Sequence, residues 1–424
     1  MHIILFEDEY VRDLFPATIA RPAFALNVGT YRLIELASFL QGDIEVVVRH
    51  YLDGLMKANY PWLWGGKTEE KTETDDKPSR GSPILVLNAR IVPDVKVLDT
   101  LRRLIDQGES CIVQEGNQLV CALFFRQDPF PTYFHGTSHL LGIIADMELP
   151  HKEARIPLLR YAHDLIRYQG GPCYQENIRF RLKHGEYTEI SEGVYTADPE
   201  QRIGQYCVFD ASQGPILIER NANISPYCFF KGPVYIGENC KIIEHSAIKD
   251  NVTLGATTKV GGEVECSIIE PYSNKQHHGF LGHSYLGSWV NLGAGTCNSD
   301  LKNTYGEVVM EYSNRKVQTG MQFVGCFIGD YAKTAINTSI FTGKTIGACS
   351  MVYGLVATNV PSFVNYAKSF GQVTETTVDV LVHTQQRMFQ RRNVEQRQVD
   401  IDLLRSIYEM TRHERQLANE PLSL

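Results

Sequence analysis

The stretch "ILIERNANISPYCFFKGPVYIGENCKIIEHSAIKDNVTLGATTKVG", residues 216–261, decides the fold of the larger part of this chain. Every sixth position in it is apolar: Ile218, Ile224, Phe230, Ile236, Ile242, Ile248, Leu254 and Val260. In a chain that is 43% hydrophobic, eight consecutive hits are not expected by chance. A period of six fits neither the 3.6 of a helix nor the 2 of an alternating strand. It fits a parallel β-solenoid, in which each hexad supplies one short strand and one turn and points one apolar side chain into a prism. Gly237, Gly255 and Gly261 follow hexad positions, where tight turns favour glycine. An ordinary β-sandwich would show period-two alternation and irregular turn spacing instead.

The hexad phase lapses over "EVECSIIEPYSNKQ" (263–276) and restarts at Phe280, Leu286 and Leu292. It lapses again over "CNSDLKNTYGEVVMEYSNRKVQTG" (297–320). It then resumes at Ile328, Ile340, Ile346 and Val352, with Thr334 and Thr358 holding the register. Both lapses read as loops extruded from the solenoid, where such folds carry function. His277 and His278 stand at the end of the first.

Upstream, "HIILF" (2–6), "IEVVVR" (44–49), "PILVLNA" (83–89) and "QLVCALFF" (118–125) read as strands, and "RLIELASFL" (32–40) as a helix. Together they predict an α/β Rossmann-like domain. The polar run "GGKTEEKTETDDKPSRGS" (65–82) reads as a flexible surface insertion, and "PLLRYAHDLIRYQ" (157–169) as a helix. The tail from about 374 to 417 has helical patterning, with Val380, Met388, Leu403, Leu404 and Ile407 as packing residues. Its basic group Arg387, Arg391 and Arg392 is an anion-binding candidate, although a solvated helix capping the solenoid is the simpler reading. The resulting division is 1–185, 186–372 and 373–424.

The composition excludes several classes. The net charge of −8 argues against sequence-independent nucleic-acid binding, which needs clustered cations. No apolar run is long enough for a membrane span, and the N-terminus lacks the pattern of a secretory signal. The 10 cysteines form no C-x-x-C pair, so buried free thiols in a reducing cytoplasm are expected rather than zinc or disulfides.

The string "FLGHSYLGSWVNLGAGTCNSD" (280–300) resembles the acetyltransferase domain of the bifunctional N-acetylglucosamine-1-phosphate uridylyltransferase/glucosamine-1-phosphate acetyltransferase family. The whole chain looks closest to a shorter, sugar-nucleotidyltransferase-like branch. The resemblance implies a left-handed β-helix, a homotrimer, and acetyl-CoA bound between neighbouring solenoids. It implies His277 as the base that deprotonates an amino sugar. Asn291 and Asn298 would surround the sugar, and backbone groups at Ala294 would contact the reacting acetyl or its carrier. Three positions depart from the family: Glu265 and Ala247 stand where it places phosphate-binding Lys and Arg, and Phe280 replaces a Tyr. Lys249 lies close to the second of these, and Lys275 is a candidate substitute cation.

The segment 4–35 is similar to a nucleotidyltransferase signature through Arg12, Pro16, Thr18, Arg21, Pro22 and Gly29. That similarity implies a sugar phosphate, a nucleoside triphosphate and Mg²⁺. Here Glu7, Asp8 and Glu9 replace the phosphate-cradling glycines and Ala23 replaces a lysine. Arg12, Arg21, Asn88 and Arg90 are the remaining candidate anion site, and Glu7 or Asp8 a substitute metal ligand. The sequence thus leaves two readings: a sugar-nucleotide transferase with both activities, or a non-catalytic scaffold that binds a sugar nucleotide or CoA.

Overall fold

A computed structural model of the chain describes residues 1–64, 83–125, 130, 134–312 and 315–418. The insertion expected at 65–82 lies outside the described residues. Two compact units are formed: one from Met1–Arg12, Arg21–Leu26 and Tyr31–Arg160, the other from Asp13–Ala20, Asn27–Thr30 and Tyr161–Leu424.

Unit 1 is built on five strands: β1 (His2–Phe6), β2 (Asp43–Val47), β3 (Ile84–Asn88), β4 (Cys111–Glu115) and β5 (Gln118–Phe124). Their order is β2-β1-β3-β5-β4. β1 runs parallel to β2 and β3, and β5 antiparallel to β3 and β4. The apolar runs supply the core, with Ile4, Phe6, Val86, Ala122 and Phe124 buried together. Helix α1 (Leu33–Ser38) and helix α2 (Val95–Asp106) belong to this unit, α2 burying Val97, Leu98, Leu101 and Leu104 at helical spacing. The helix expected at 157–169 is shorter than predicted: α3 spans Asp164–Gln169. Upstream of it the chain is held extended, because Val92 N–H donates to Pro157 O and Leu158 bridges Ile91.

Unit 2 is a parallel β-solenoid, as the left-handed β-helix expectation requires. All eight hexad residues from Ile218 to Val260 are at most 2% exposed and share one core. One inner column runs Ile218, Ile236, Leu254, Ile269, Leu286, Ile328 and Ile346, each the register partner of the next.

That column corrects the first of the two expected loops. Ile236 pairs with Leu254 eighteen residues on, and Leu254 with Ile269 only fifteen on. The stretch 263–276 is therefore a shortened coil, with Val264 and Ile269 inside, and not an extrusion. The shortening falls in turns; at Gly261–Gly262, Gly262 takes φ +72°, a left-handed conformation glycine adopts freely. A Cβ on Gly261 would lie 2.1 Å from Gln276 O. Gly261→Ala is expected to destabilise the solenoid by about 1–3 kcal/mol, seen as a lower urea midpoint at unchanged m.

The second extrusion is present. The chain leaves the coil after Asn298 and forms the antiparallel hairpin Val309–Tyr312/Arg315–Gln318 before rejoining it at Cys326–Ile328. Two further inward positions differ from expectation. Leu281, not Phe280, points into the core, because the coil has dropped residues before it; Thr358 is exposed, with Val356 and Val360 inside.

Helix α4 (Pro172–His184) precedes the solenoid, and the tail forms α5 (Val378–Gln390), α6 (Gln398–Met410) and α7 (Arg412–Ala418). Leu403, Leu404 and Ile407 are buried as expected, but Val380 is exposed and Leu381 and Phe389 pack instead. Among the described residues no helix is long and apolar enough to cross a membrane. All ten cysteines are free; Cys297 is exposed, and burial pushes thiols such as Cys240 up to about 11, out of the reactive range.

Candidate functional site

His277 and His278 lie, both exposed, in the turn between the strands Asn274–Lys275 and Phe280–Gly282. The turn of the next coil, 293–297, is stacked on it. Gly295 N–H donates to His278 O at 3.1 Å, and Phe280 N–H to Cys297 Sγ at 3.4 Å. Gly279 permits this stacking, since a Cβ there would lie 2.2 Å from Thr296 O.

Within the second turn the backbone donors are unevenly satisfied. Gly293 N–H donates to Thr334 O, Gly295 N–H to His278 O, and Thr296 N–H to Gly293 O. Among the described residues, Ala294 N–H alone of this run has no protein acceptor, while Ala294 O accepts from Asn337 N–H at 2.7 Å. This unpaired donor lies on a turn stacked against the one that carries both exposed histidines, and His278 Nε2 stands 3.4 Å from where a Cβ on Gly295 would lie. A proton acceptor and a group that binds a developing oxyanion are a composition suited to acyl transfer.

The other expected residues divide. Asn291 is exposed, its Oδ1 accepting from Asn274 Nδ2 at 3.3 Å. Asn298 is committed to the fold: Oδ1 accepts from Gly282 N–H and Nδ2 donates to Gly282 O, both at 3.0 Å. Lys275 is not a free cation either. It is 2% exposed at an inward hexad position, in register with Val260. Its Nζ donates to Gly261 O at 2.6 Å and His277 O at 2.9 Å. Burial pushes its ammonium down to about 8, partly opposed by Cys297 and Glu263. Lys249 is bound by Glu263 at 2.7 Å and Glu265 at 3.4 Å, so the charge of Glu265 is compensated from the preceding coil.

One pair was not read from the sequence. His283 Nδ1 meets Asp300 Oδ2 at 2.8 Å, and its ring stacks on Phe323 with centroids 5.2 Å apart. Burial works against the charged ring, but the bonds to Asp300 and Cys266 outweigh it and raise His283 to about 10. The seventeen-residue separation, close to one coil, is the signal that would have found it.

In unit 1 two of the three acids that replace glycines are neutralised. Glu7 is 3% exposed. Its carboxylate accepts from Ala23 N–H (2.9 Å), Arg49 N–H (3.1 Å) and Arg49 Nε (3.0 Å). Asp8 accepts from Arg90 Nε (2.7 Å), Arg90 Nη2 (2.6 Å) and Asn88 Nδ2 (2.8 Å). Arg90 also donates to Leu159 O and Gln118 Oε1. Asn88 and Arg90 are therefore internal partners of Asp8 and not an open anion site, whereas Arg12 is exposed and Arg21 half-buried. Nor do Glu7 and Asp8 fit a resident Mg²⁺, because the oxygens a metal would take are bound to guanidinium and amide groups. Among the described residues no group of three or more His, Cys, Asp and Glu has metal-binding geometry.

Residues 3–171 match the family model described as sugar nucleotidyl transferase. That match covers 169 of the 424 residues. The chain is 33% identical over 143 residues to a Sulfurisphaera tokodaii protein named bifunctional sugar-1-phosphate nucleotidylyltransferase/acetyltransferase, covering 33% of this chain and 36% of that one. It is 30% identical over 176 residues to the bifunctional protein GlmU of Buchnera aphidicola, covering 40% and 36%. The chain thus spans little more than a third of the length of the curated relatives it matches. A solved UDP-N-acetylglucosamine acyltransferase from Francisella novicida is 15% identical over 53% of this chain and 80% of that one, with a TM-score of 0.26.

Proposed function

We propose that this chain is a cytoplasmic enzyme of sugar-nucleotide metabolism. A sugar nucleotidyl transferase domain that takes a sugar 1-phosphate and a nucleoside triphosphate is joined to a β-helix that acetylates an amino sugar from acetyl-CoA, in a homotrimer. The observation that carries the acyl-transfer half is the pair of stacked turns, with the exposed imidazole of His277 on one and the unpaired N–H of Ala294 on the next. His277 accepts the proton that the sugar amine loses as its nitrogen attacks the thioester carbonyl. Ala294 N–H is the donor suited to that carbonyl oxygen as it gains charge, and Asn291 offers an exposed amide to sugar hydroxyls. Lys275 holds the carbonyl of His277 and so fixes the turn. The relatives' names, which join both activities in one chain, support the combination.

Incubation with glucosamine 1-phosphate and acetyl-CoA, followed by thiol release, tests this reading. His277→Ala is expected to lower the rate by about 10²–10⁴, the usual contribution of a general base. His278→Ala should leave the rate within a few fold. Equal loss in both variants, or none in His277→Ala, would overturn the assignment.

A second reading applies to unit 1 alone. Glu7 and Asp8 use their carboxylates on Arg49 and Arg90, at the place where the signature requires glycine amides for the triphosphate. That favours a domain that binds a sugar nucleotide without catalysing its formation. Pyrophosphate release from sugar 1-phosphates, nucleoside triphosphates and Mg²⁺ decides between the two. Sugar-nucleotide binding without pyrophosphate release supports the scaffold.

A further inference from the structure

The basic residues of the C-terminal tail have a role beyond capping. The outward positions of one solenoid face form a ladder in which Asn223 pairs with Lys241, Lys241 with Lys259, and Lys259 with Asn274. Adjacent rungs of parallel strands lie about 4.8 Å apart, so Lys241 and Lys259 are side by side on that face. The last turn of α5 and the residues just after it meet the same face. Trp289 and Phe389 pack with ring centroids 4.4 Å apart, and Arg392 Nη2 donates to Asn274 Oδ1 at 2.5 Å. Arg392 is thereby fixed one rung from Lys259, and Arg391 is its neighbour in the chain. Two solenoid lysines and two tail arginines converge on one patch.

Nothing in the described part of the protein neutralises them. Among the described residues no carboxylate forms an ion pair with Lys241, Lys259, Arg391 or Arg392. The contrast with the neighbouring face is direct: there Lys231 pairs with Asp250 and Lys249 with Glu263 and Glu265. The Lys259 ammonium is held below its ordinary range by burial and then by Arg392, Lys241 and Arg391, with no opposing carboxylate. Like charges within a few ångströms repel one another, so such a patch is costly in a chain whose net charge is −8. A multiply charged anion relieves the repulsion at every cation at once.

We propose that Lys241, Lys259, Arg391 and Arg392 form a phosphate-binding site at the seam between the C-terminal tail and the solenoid face. Its ligand is a doubly charged phosphate, held by ammonium point charges from the sheet and by the guanidinium groups of the tail. Asn274, which anchors Arg392, also donates to Asn291 Oδ1, so this site adjoins the proposed sugar-binding residue. Its four cations are not part of the His277 and Ala294 turns, and its occupancy does not depend on acyl transfer. Binding there ties the tail to the solenoid through the ligand as well as through Trp289 and Asn274.

Calorimetric titration of the full chain, at constant ionic strength in chloride, tests the proposal with orthophosphate and with ADP as probes. Saturable binding with a stoichiometry near one is expected. Lys259→Gln combined with Arg392→Gln should weaken it by about a hundredfold, tenfold for each charged donor lost. The control removes the exposed Lys96 and Lys316 in the same way and should leave affinity within a factor of two. Binding of orthophosphate assigns the site to the free ion. Binding of ADP alone assigns it to the phosphate of a larger ligand. The absence of saturable binding by either probe, or equal weakening in the control, would overturn the proposal. Circular dichroism of each variant shows that the fold is retained.

Discussion

Replacing Arg90 with methionine is expected to lower the stability of unit 1 by about 3–5 kcal/mol, the range for removing one partner of a buried ion pair. Arg90 is 1% exposed and donates to Asp8 through two nitrogens, at 2.7 and 2.6 Å. Methionine fills much of the volume, so the loss is electrostatic rather than a cavity. Asp8 is left with Asn88 as its remaining side-chain donor, in a site where little water can solvate its charge. The double variant Arg90→Met with Asp8→Asn should recover most of the deficit, because it removes the stranded charge as well. Trp62 and Trp64 lie in unit 1 and Trp289 in unit 2, so a Trp289→Phe background makes fluorescence-detected urea unfolding report on unit 1. A change below about 1 kcal/mol for Arg90→Met would show that Asp8 is solvated or protonated instead.

Arg90 and Arg49 show where sequence reading stops. The hexad positions from Ile218 to Val260 were legible because each coil restates the same constraint, and all eight are inward. The grid misread 263–276 because Val264 and Ile269 fall off a strict six-residue spacing once a turn loses residues; a shortened coil and an extruded loop then look alike. Phe280 and Thr358 were misplaced for the same reason. Pairings across long separations leave no local trace: Glu7 meets Arg49 across 42 residues and Asp8 meets Arg90 across 82. Read locally, three acids at a phosphate loop suggest repulsion, whereas the fold neutralises two of them. The Lys275 misreading has a simpler cause. A lysine in a run of polar residues looks like a free cation until the carbonyls of Gly261 and His277 are seen to close over it.

Lys275 should also write a signature into the pH dependence of stability. Its ordinary value of 10.5 is lowered to about 8 in the folded protein, chiefly by burial. Between those values the unfolded chain binds a proton that the folded chain does not, so stability rises with pH across that window. At 1.36 kcal/mol per pKa unit the full rise is about 3 kcal/mol. The penalty is present below pH 8 and relieved as pH approaches 10.5. Chemistry at the site agrees with the sign: a neutral amine has two N–H groups for the two carbonyl acceptors, and protonation adds a third donor inside an apolar column. Other groups titrate in the same range, Lys333 among them at about 8. The informative quantity is therefore the difference in unfolding free energy between the wild type and Lys275→Met. It should move in favour of the wild type by about 3 kcal/mol from pH 7.5 to 10.5. A flat difference would mean that Lys275 stays protonated in the fold. Methionine also releases the carbonyl of His277, so the acetyl transfer proposed for this site should fall in this variant at every pH, while the stability difference changes only within the titration window.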